Sequence, residues 1–335
     1  MDCSNEKTID IVALGELLID MTPNGRGPNG KPCFEANPGG APGNVLSMAA
    51  NLGSKCAYIS KVGNDLFGNL LVDEMAKRNI DSGCISKDER FFTTLAFVYL
   101  DDSGERHFNF ARKPGADSMI EPDDVNEAII QKSRILCFGT MTLTNEPARS
   151  ATKKGIDIAR NAGCKIAFDP NIRQAIWENE KTLLEQVHYG LSVCQILKIS
   201  EDELFTVFKQ NDLDKAIQEL TEKYPNIEIL FVTCGKNGNY VMQNKEMRYI
   251  PAVKSENVLD TTGAGDCFFG CCLNKLAEKE LSKINIEYLE KVAQFASTAA
   301  SIIIERKGAL CQMPTHSEIN ERINQQRMFR LKALS

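Results

Sequence analysis

Residues 134–169 read RILCFGTMTLTNEPARSATKKGIDIARNAGCKIAFD, and their periodicity decides which architecture to expect. Two short, nearly continuous apolar runs, RILCFG (134–139) and CKIAFD (164–169), bracket EPARSATKKGIDIARNAG (146–163), where apolar residues recur at helical spacing. Unbroken apolar runs suit strands buried on both faces, and a helix between two of them is the crossover of a parallel pair. The rhythm continues outward. IDIVALG (9–15), AYISKVG (57–63), QILKIS (195–200) and EILFVTCG (228–235) read as strands, FGNLLVDEMAKRN (67–79) and EDELFTVFKQ (201–210) as helices. The fold class to expect is α/β, with a doubly wound, mainly parallel sheet and helices on both faces.

Two segments break the rhythm. Leu17 to Glu35 is rich in Gly, Pro and Asn, and TTLAFVYL (93–100), DDSG (101–104) and ERHFNFAR (105–112) read as strand, turn and strand. They predict a small β-rich lid, from approximately 17–37 and 90–112, inserted in a single domain spanning 1–335. No repeat, low-complexity tract or linker divides the chain.

With 335 residues, 43% hydrophobic and 25% charged, the chain has the composition of an ordinary soluble globule. A net charge of -6 argues against a nucleic-acid binder, which needs clustered Lys and Arg to release counterions. The N-terminus shows no signal-peptide pattern, and no apolar run reaches the roughly 18 residues of a membrane span. Twelve dispersed cysteines, several inside apolar runs (Cys137, Cys164, Cys194, Cys234), suit a reducing, cytoplasmic setting. No CxxC pair occurs and His107, His188 and His316 are isolated, so a structural zinc site is not expected.

In open α/β sheets ligands bind outside the carboxyl ends of the strands. Polar residues cluster there: Asp169, Asn171 and Arg173 in FDPNIR, Ser200 to Glu203, Thr233 to Gly238, and DTTGAGDCFFG (260–270) after the strand-like ENVL (256–259). GRGPNGKP (25–32) satisfies two phosphate-loop patterns by letter, but Pro32 follows Lys31 where a hydroxyl residue and a helix are required, so it reads as a loop. In DTTGAGD, Gly263, Ala264 and Gly265 open a helix and could aim N–H groups at an anion. If that anion is a phosphoryl group in transfer, Asp266 stands where a base would deprotonate the acceptor hydroxyl. The plainer reading is a glycine turn with a carboxylate in the first helical turn. PGGAPGNVLSMAANLG (38–53) opens another helix after paired glycines, where Asn44 either bonds a polyol or caps the helix.

Taken together, PGGAPGNVLSMAANLG and DTTGAGDCFFG resemble the two signatures of the ribokinase (PfkB) family of carbohydrate kinases. The likeness runs to about Pro314. VALGELLID, TTLAFV, FDPNIR, KISEDE and VTCGKNG most resemble the fructokinases of that family. The resemblance implies ATP-dependent phosphorylation of a sugar, with Asp266 as base and Gly263, Ala264 and Gly265 as anion hole. It implies sugar contacts from Asp20, Gly39, Gly40 and Asn44, with Arg112 and Arg173 near sugar and phosphates. Thr233, Gly235, Lys236 and Gly238 would hold ATP, and Ser200 and Glu203 fall where the family organises Mg²⁺. Ser200 replaces the family's usual Asn, Cys267 stands where a smaller residue is common, and Gln312 replaces a small hydroxyl residue. Asp260, Thr262, Ile303, Arg306 and Gly308 resemble a K⁺ site.

The resemblance thus implies a fructokinase with ATP and a small sugar as its partners, no nucleic acid or membrane, and a homodimer through the lid as an open option. A 2-keto-3-deoxygluconate kinase is the alternative within the family, because Arg112 sits where such enzymes hold a carboxylate. An inactive kinase-like regulatory protein is the alternative of another class. A nicotinamide-dependent oxidoreductase lacks its glycine fingerprint in the first βα turn.

Overall fold

A computed structural model describes residues 6–100, 106–255 and 257–333. Its strands are β1 (Ile9–Leu14), β2 (Leu18–Arg26), β3 (Pro32–Gly39), β4 (Cys56–Gly63), β5 (Ile80–Asp81), β6 (Ile85–Asp88), β7 (Leu95–Leu100), β8 (Arg106–Ala111), β9 (Ser133–Phe138), β10 (Lys165–Phe168), β11 (Ile196–Ser200), β12 (Ile229–Thr233), β13 (Asn239–Gln243) and β14 (Glu246–Ile250). Its α-helices are α1 (Ala41–Asn51), α2 (Leu66–Lys77), α3 (Glu127–Gln131), α4 (Ala148–Asn161), α5 (Glu180–Val193), α6 (Glu201–Phe208), α7 (Leu213–Lys223), α8 (Ala264–Ala277), α9 (Ile286–Ile303) and α10 (His316–Ala333).

The large sheet runs β5-β4-β1-β9-β10-β11-β12-β13-β14, with β6 also pairing β4. It is parallel through β12, and the last two strands turn antiparallel. The apolar runs therefore lie where expected, because strands covered on both faces have no polar side to show. One face carries Met48, Phe231, Phe268 and Phe269 against α1, α8 and α9, and the other carries Phe138 and Phe168, stacked with centroids 4.7 Å apart. Burying each such ring contributes about 1.5–3 kcal/mol.

Helices α1 and α8 cross unusually closely. A Cβ on Gly270 would lie 2.5 Å from the Val45 carbonyl oxygen and 2.7 Å from Met48 Cβ, so only glycine permits the approach. Cys267 and Met48 meet beside it, sulfur to sulfur, at 3.5 Å.

The small sheet has the order β3-β2-β7-β8. Its strands lie within 18–39 and 95–111, and the anticipated DDSG turn lies outside the described residues. Only Gly15, Glu16 and Leu17 separate β1 from β2, and all three are buried. Leu18, Ala96 and Met141 form a core of their own beneath this sheet.

Two departures stand out. ENVL does not form a strand: 257–260 is irregular, and Val258 and Leu259 are 53% and 60% exposed. The Leu259 and Asp260 amides donate instead to the Ile304 carbonyl at the end of α9, at 2.8 and 3.1 Å, and the sheet continues past β12 through β13 and β14, a hairpin not anticipated from the sequence. Eleven described cysteines are unpaired, eight of them buried. Among the described residues, no helix is long and apolar enough to cross a membrane.

Candidate active site

Strands β1, β10, β11 and β12 end at the same edge, and the site residues leave from there. Helices α2, α5, α6, α7 and α9 begin with a side chain capping the first turn, whereas α8 begins at Gly263 (φ 76°) with no side-chain cap. A Cβ at Gly263 would lie 2.5 Å from that of Ala309, so backbone conformation and packing both require glycine there. The Ala264 N–H already donates to the Thr261 carbonyl, 3.3 Å away.

Asp266 sits in the first turn of α8 and is 9% exposed. Asn44 Nδ2 donates to its Oδ2 at 2.8 Å. The Asn44 capping option is therefore overturned: Gly40, which has no side chain to offer, is the N-cap of α1, and Asn44 spends its amide on Asp266 instead. Burial raises the Asp266 carboxyl above its ordinary range, against the opposing pull of Asn44, Lys198 and Arg173. Such a shift moves a carboxylate toward the proton affinity that suits general base work near neutral pH.

Lys198 was not anticipated. Its Nζ lies 2.9 and 3.1 Å from the two carboxylate oxygens of Asp169, both side chains being buried. A Cβ on Gly265 would come within 3.0 Å of the same ammonium, which puts a cation beside the glycine loop. Burial pushes Asp169 up to about 7 against the pull of Lys198. Burial also opposes the charge on Lys198, but Asp169, Glu203 and Asp266 outweigh it and raise its affinity for the proton. The available signal was a lysine within the otherwise apolar QILKIS.

Glu16, also not anticipated, is 3% exposed and accepts the first amide of α1, from Ala41, at 3.0 Å. Burial pushes it up to about 7. Gly40, at φ 111°, packs against the Glu16 carbonyl, and Gly39 packs against the Asp20 carboxylate, each too tightly for a Cβ. Asp20, Gly39, Gly40 and Asn44 thus gather at one end of α1.

Arg112 is held by three hydrogen bonds within the protein. Its Nε donates to Asp117 at 2.7 Å, Nη1 to Thr144 at 3.0 Å and Nη2 to the Met141 carbonyl at 3.1 Å, with the side chain 3% exposed. Asp117 also accepts from Thr94. Arg173 Nη1 donates to the Ile172 carbonyl at 3.2 Å, and its charge acts on Asp266.

Ser200 and Glu203 form a capping box on α6, and Glu203 also accepts from Ile172 N at 2.7 Å. Thr233 ends β12, and Gly235, Lys236 and Gly238 lie in the tight link to β13, where Cys234 N donates to the Gly238 carbonyl at 2.9 Å. Asp260 ties two loops together, accepting from Thr262 N at 2.7 Å and Gly308 N at 3.3 Å. The Ile303 carbonyl accepts from Arg306 N at 3.0 Å. The Arg306 side chain instead reaches Gln312 and Glu318. Among the described residues no group of three or more His, Cys, Asp or Glu is arranged to hold a metal ion.

Comparison with known proteins gives a consistent picture. Residues 8–316 match the description pfkB family carbohydrate kinase. Probable fructokinase-2 of Arabidopsis thaliana is 34% identical over 310 residues, 92% of this chain and 94% of that one. Fructokinase of Xylella fastidiosa, solved with bound ATP, superposes with a TM-score of 0.85 at 28% identity, covering 95% of this chain and 99% of that one. A fructokinase double mutant from Vibrio cholerae O395, solved with fructose, ADP and a potassium ion, has a TM-score of 0.85 at 26% identity, covering 94% and 99%.

Proposed function

The chain belongs to the pfkB family of carbohydrate kinases, and from that premise we propose that it is a fructokinase, moving the γ-phosphoryl group of ATP to the 6-hydroxyl of D-fructose. The observation that carries the reading is Asp266, a buried carboxylate in the first turn of α8 with an uncapped, glycine-opened helix start beside it. The fructose hydroxyl gives its proton to Asp266, and its oxygen bonds to the γ-phosphorus. The bond from that phosphorus to the bridging oxygen breaks, and ADP leaves with the electron pair. Gly263 and Gly265 offer amides to the charge on the moving group, with Lys198 close by as a cation.

Asp20, Gly39, Gly40 and Asn44 would hold the sugar, and the Thr233 to Gly238 link would hold ATP. Mg²⁺ would be an ion carried largely by phosphates and water, with Glu203, which Ser200 holds in place at the start of α6, as the carboxylate beside its water shell. It would supply charge neutralisation on the phosphates. A K⁺ would be held by Asp260, Thr262, Ile303, Arg306 and Gly308, a reading supported by the Asp260 carboxylate, which bridges two loops there. The small sheet would act as a lid that excludes water over the sugar. A homodimer through that sheet belongs to the same reading, supported by Phe34 and Tyr99, which are 42% and 49% exposed. A cytoplasmic setting is supported by the eight buried, unpaired thiols.

The keto-acid alternative rested on Arg112 as a carboxylate binder. That guanidinium is buried against Asp117, which speaks for fructose. The inactive-protein alternative rested on a lost base or glycine, and neither is lost.

An assay of ADP release across fructose, glucose, ribose and 2-keto-3-deoxygluconate tests the reading. The highest kcat/KM is expected for fructose, and Asp266→Asn is expected to retain ATP binding while losing about 10³-fold or more in turnover. Full turnover by Asp266→Asn would overturn the base assignment.

A further inference from the structure

We propose that Asn44 positions the catalytic base: its amide holds one oxygen of Asp266 and turns the other toward the acceptor hydroxyl, so one side chain aligns base and sugar together. The inference deepens the kinase reading above and rests on it.

The geometry is specific. Asn44 and Asp266 are 222 residues apart and meet only because Gly270 lets α1 and α8 cross at contact distance. An ionised carboxylate only accepts, so the amide must present Nδ2 to it and keep Oδ1 for something else. Asn44 Oδ1 is buried and has no partner among the described residues. A buried carbonyl oxygen without a donor is costly, and a sugar hydroxyl beside Asp266 is a donor of the right kind. Asn44 therefore links the base on one side to the substrate on the other.

The bond also acts on the proton affinity of the base. Burial raises Asp266, and Asn44 is the foremost group opposing that rise. The other charged or titratable groups facing Asp266 are Lys198 on β11, Arg173 after β10, Glu203 on α6, Asp169 after β10, the Cys137 thiol on β9 and the Cys267 thiol on α8 itself. Lys198 and Arg173 favour the ionised form and Glu203 opposes it. Removing Asn44 leaves all of these in place and takes away a neutral donor.

The test is the single-turnover rate of phosphoryl transfer at saturating fructose and ATP, followed against pH for the wild type, Asn44→Ala and Asn44→Asp. In Asn44→Ala the acid limb moves to higher pH, so that on the limb the rate, taken relative to each protein's own plateau, falls about threefold or more below that of the wild type at the same pH. Asn44→Asp keeps the shape but places a second carboxylate against the base, so its limb moves further. The order wild type, Ala, Asp is the signature, since a structural role alone does not produce it. Melting temperature and ATP binding are read alongside, and Asn44→Leu, which likewise has no donor and fills similar volume, replaces Asn44→Ala if the alanine variant does not fold. Limbs that coincide with the wild type, with only the KM for fructose raised, would overturn the positioning role. Undiminished turnover in Asp266→Asn would instead show that the kinase reading of the base is at fault.

Discussion

Lys198 Nζ sits within 3.1 Å of both carboxylate oxygens of Asp169, in a pair buried under the glycine loop that opens α8. Removing the lysine leaves the Asp169 carboxyl buried without its counterion, so it must take up a proton and lose both of its hydrogen bonds. Lys198→Met is therefore expected to lower the free energy of unfolding by roughly 3–5 kcal/mol. Adding Asp169→Leu is expected to restore most of that loss. Urea unfolding of the wild type and the two variants measures it. A Lys198→Met protein as stable as the wild type would show that the pair is not held as a buried ion pair.

Gly263→Ala should act on turnover more than on binding. The residue needs φ near 76°, and its Cβ would meet Ala309 at 2.5 Å. Shifting the loop displaces the amides aimed at the moving phosphoryl group, for a loss of about 10²-fold in kcat. Steady-state kinetics with fructose should show the KM changing far less.

At Gly39 the neighbour is the Asp20 carboxylate, close enough that any Cβ pushes it aside. Gly39→Ala is expected to raise the KM for fructose by about tenfold to a hundredfold, with a smaller effect on the KM for ATP. Equal effects on both constants would argue that Asp20 does not touch the sugar.

Glu16 predicts a pH effect on stability. Its carboxyl rises from the ordinary 4.5 to about 7 in the folded protein, chiefly through burial. Between these two values the native chain holds a proton that the unfolded chain has lost, so this group's contribution to stability falls as pH rises through the window. The full penalty, reached above about pH 7, is roughly 3 kcal/mol. Glu16→Gln keeps an oxygen for the Ala41 amide but cannot ionise. Its stability relative to the wild type should therefore increase from pH 4.5 to pH 7, as read by denaturant melts at fixed ionic strength. A difference that stays flat across that range would contradict the shift.

The parallel strands were legible because β1, β4, β9, β10, β11 and β12 are covered on both faces and so read as apolar runs. Strand β13 alternates, with Tyr240 and Met242 half-buried between buried Asn239, Val241 and Gln243, and β14 buries only Ile250 fully, so neither shows a continuous apolar run. ENVL misled for the opposite reason: its Val258 and Leu259 have strand-forming side chains, but they face solvent on a connecting segment. In the site, Asp266 and the glycines could be read from local spacing. The bond from Asn44 to Asp266 could not, because it is set by how closely two helices cross, which depends on Gly270 and on Met48 far away in the chain. Lys198 and Glu16 left a readable trace as charges inside apolar runs, but which carboxylate or amide each would meet is a matter of tertiary packing.

The distribution of thiols gives this protein an internal clock for its own opening. Of the eleven described cysteines only Cys311 is exposed, Cys33 and Cys84 are half-buried, and the remaining eight are buried. Buried thiols are shut off from reagent as long as the fold stays closed. Cys267, Cys271 and Cys272 line α8 directly behind the base, while Cys164, Cys194 and Cys234 lie under the opposite face of the sheet. Under alkylation, the order in which these two groups acquire label reports which face of the sheet separates first, and saturating substrate should slow the α8 group selectively if fructose and ATP clamp α1 against α8.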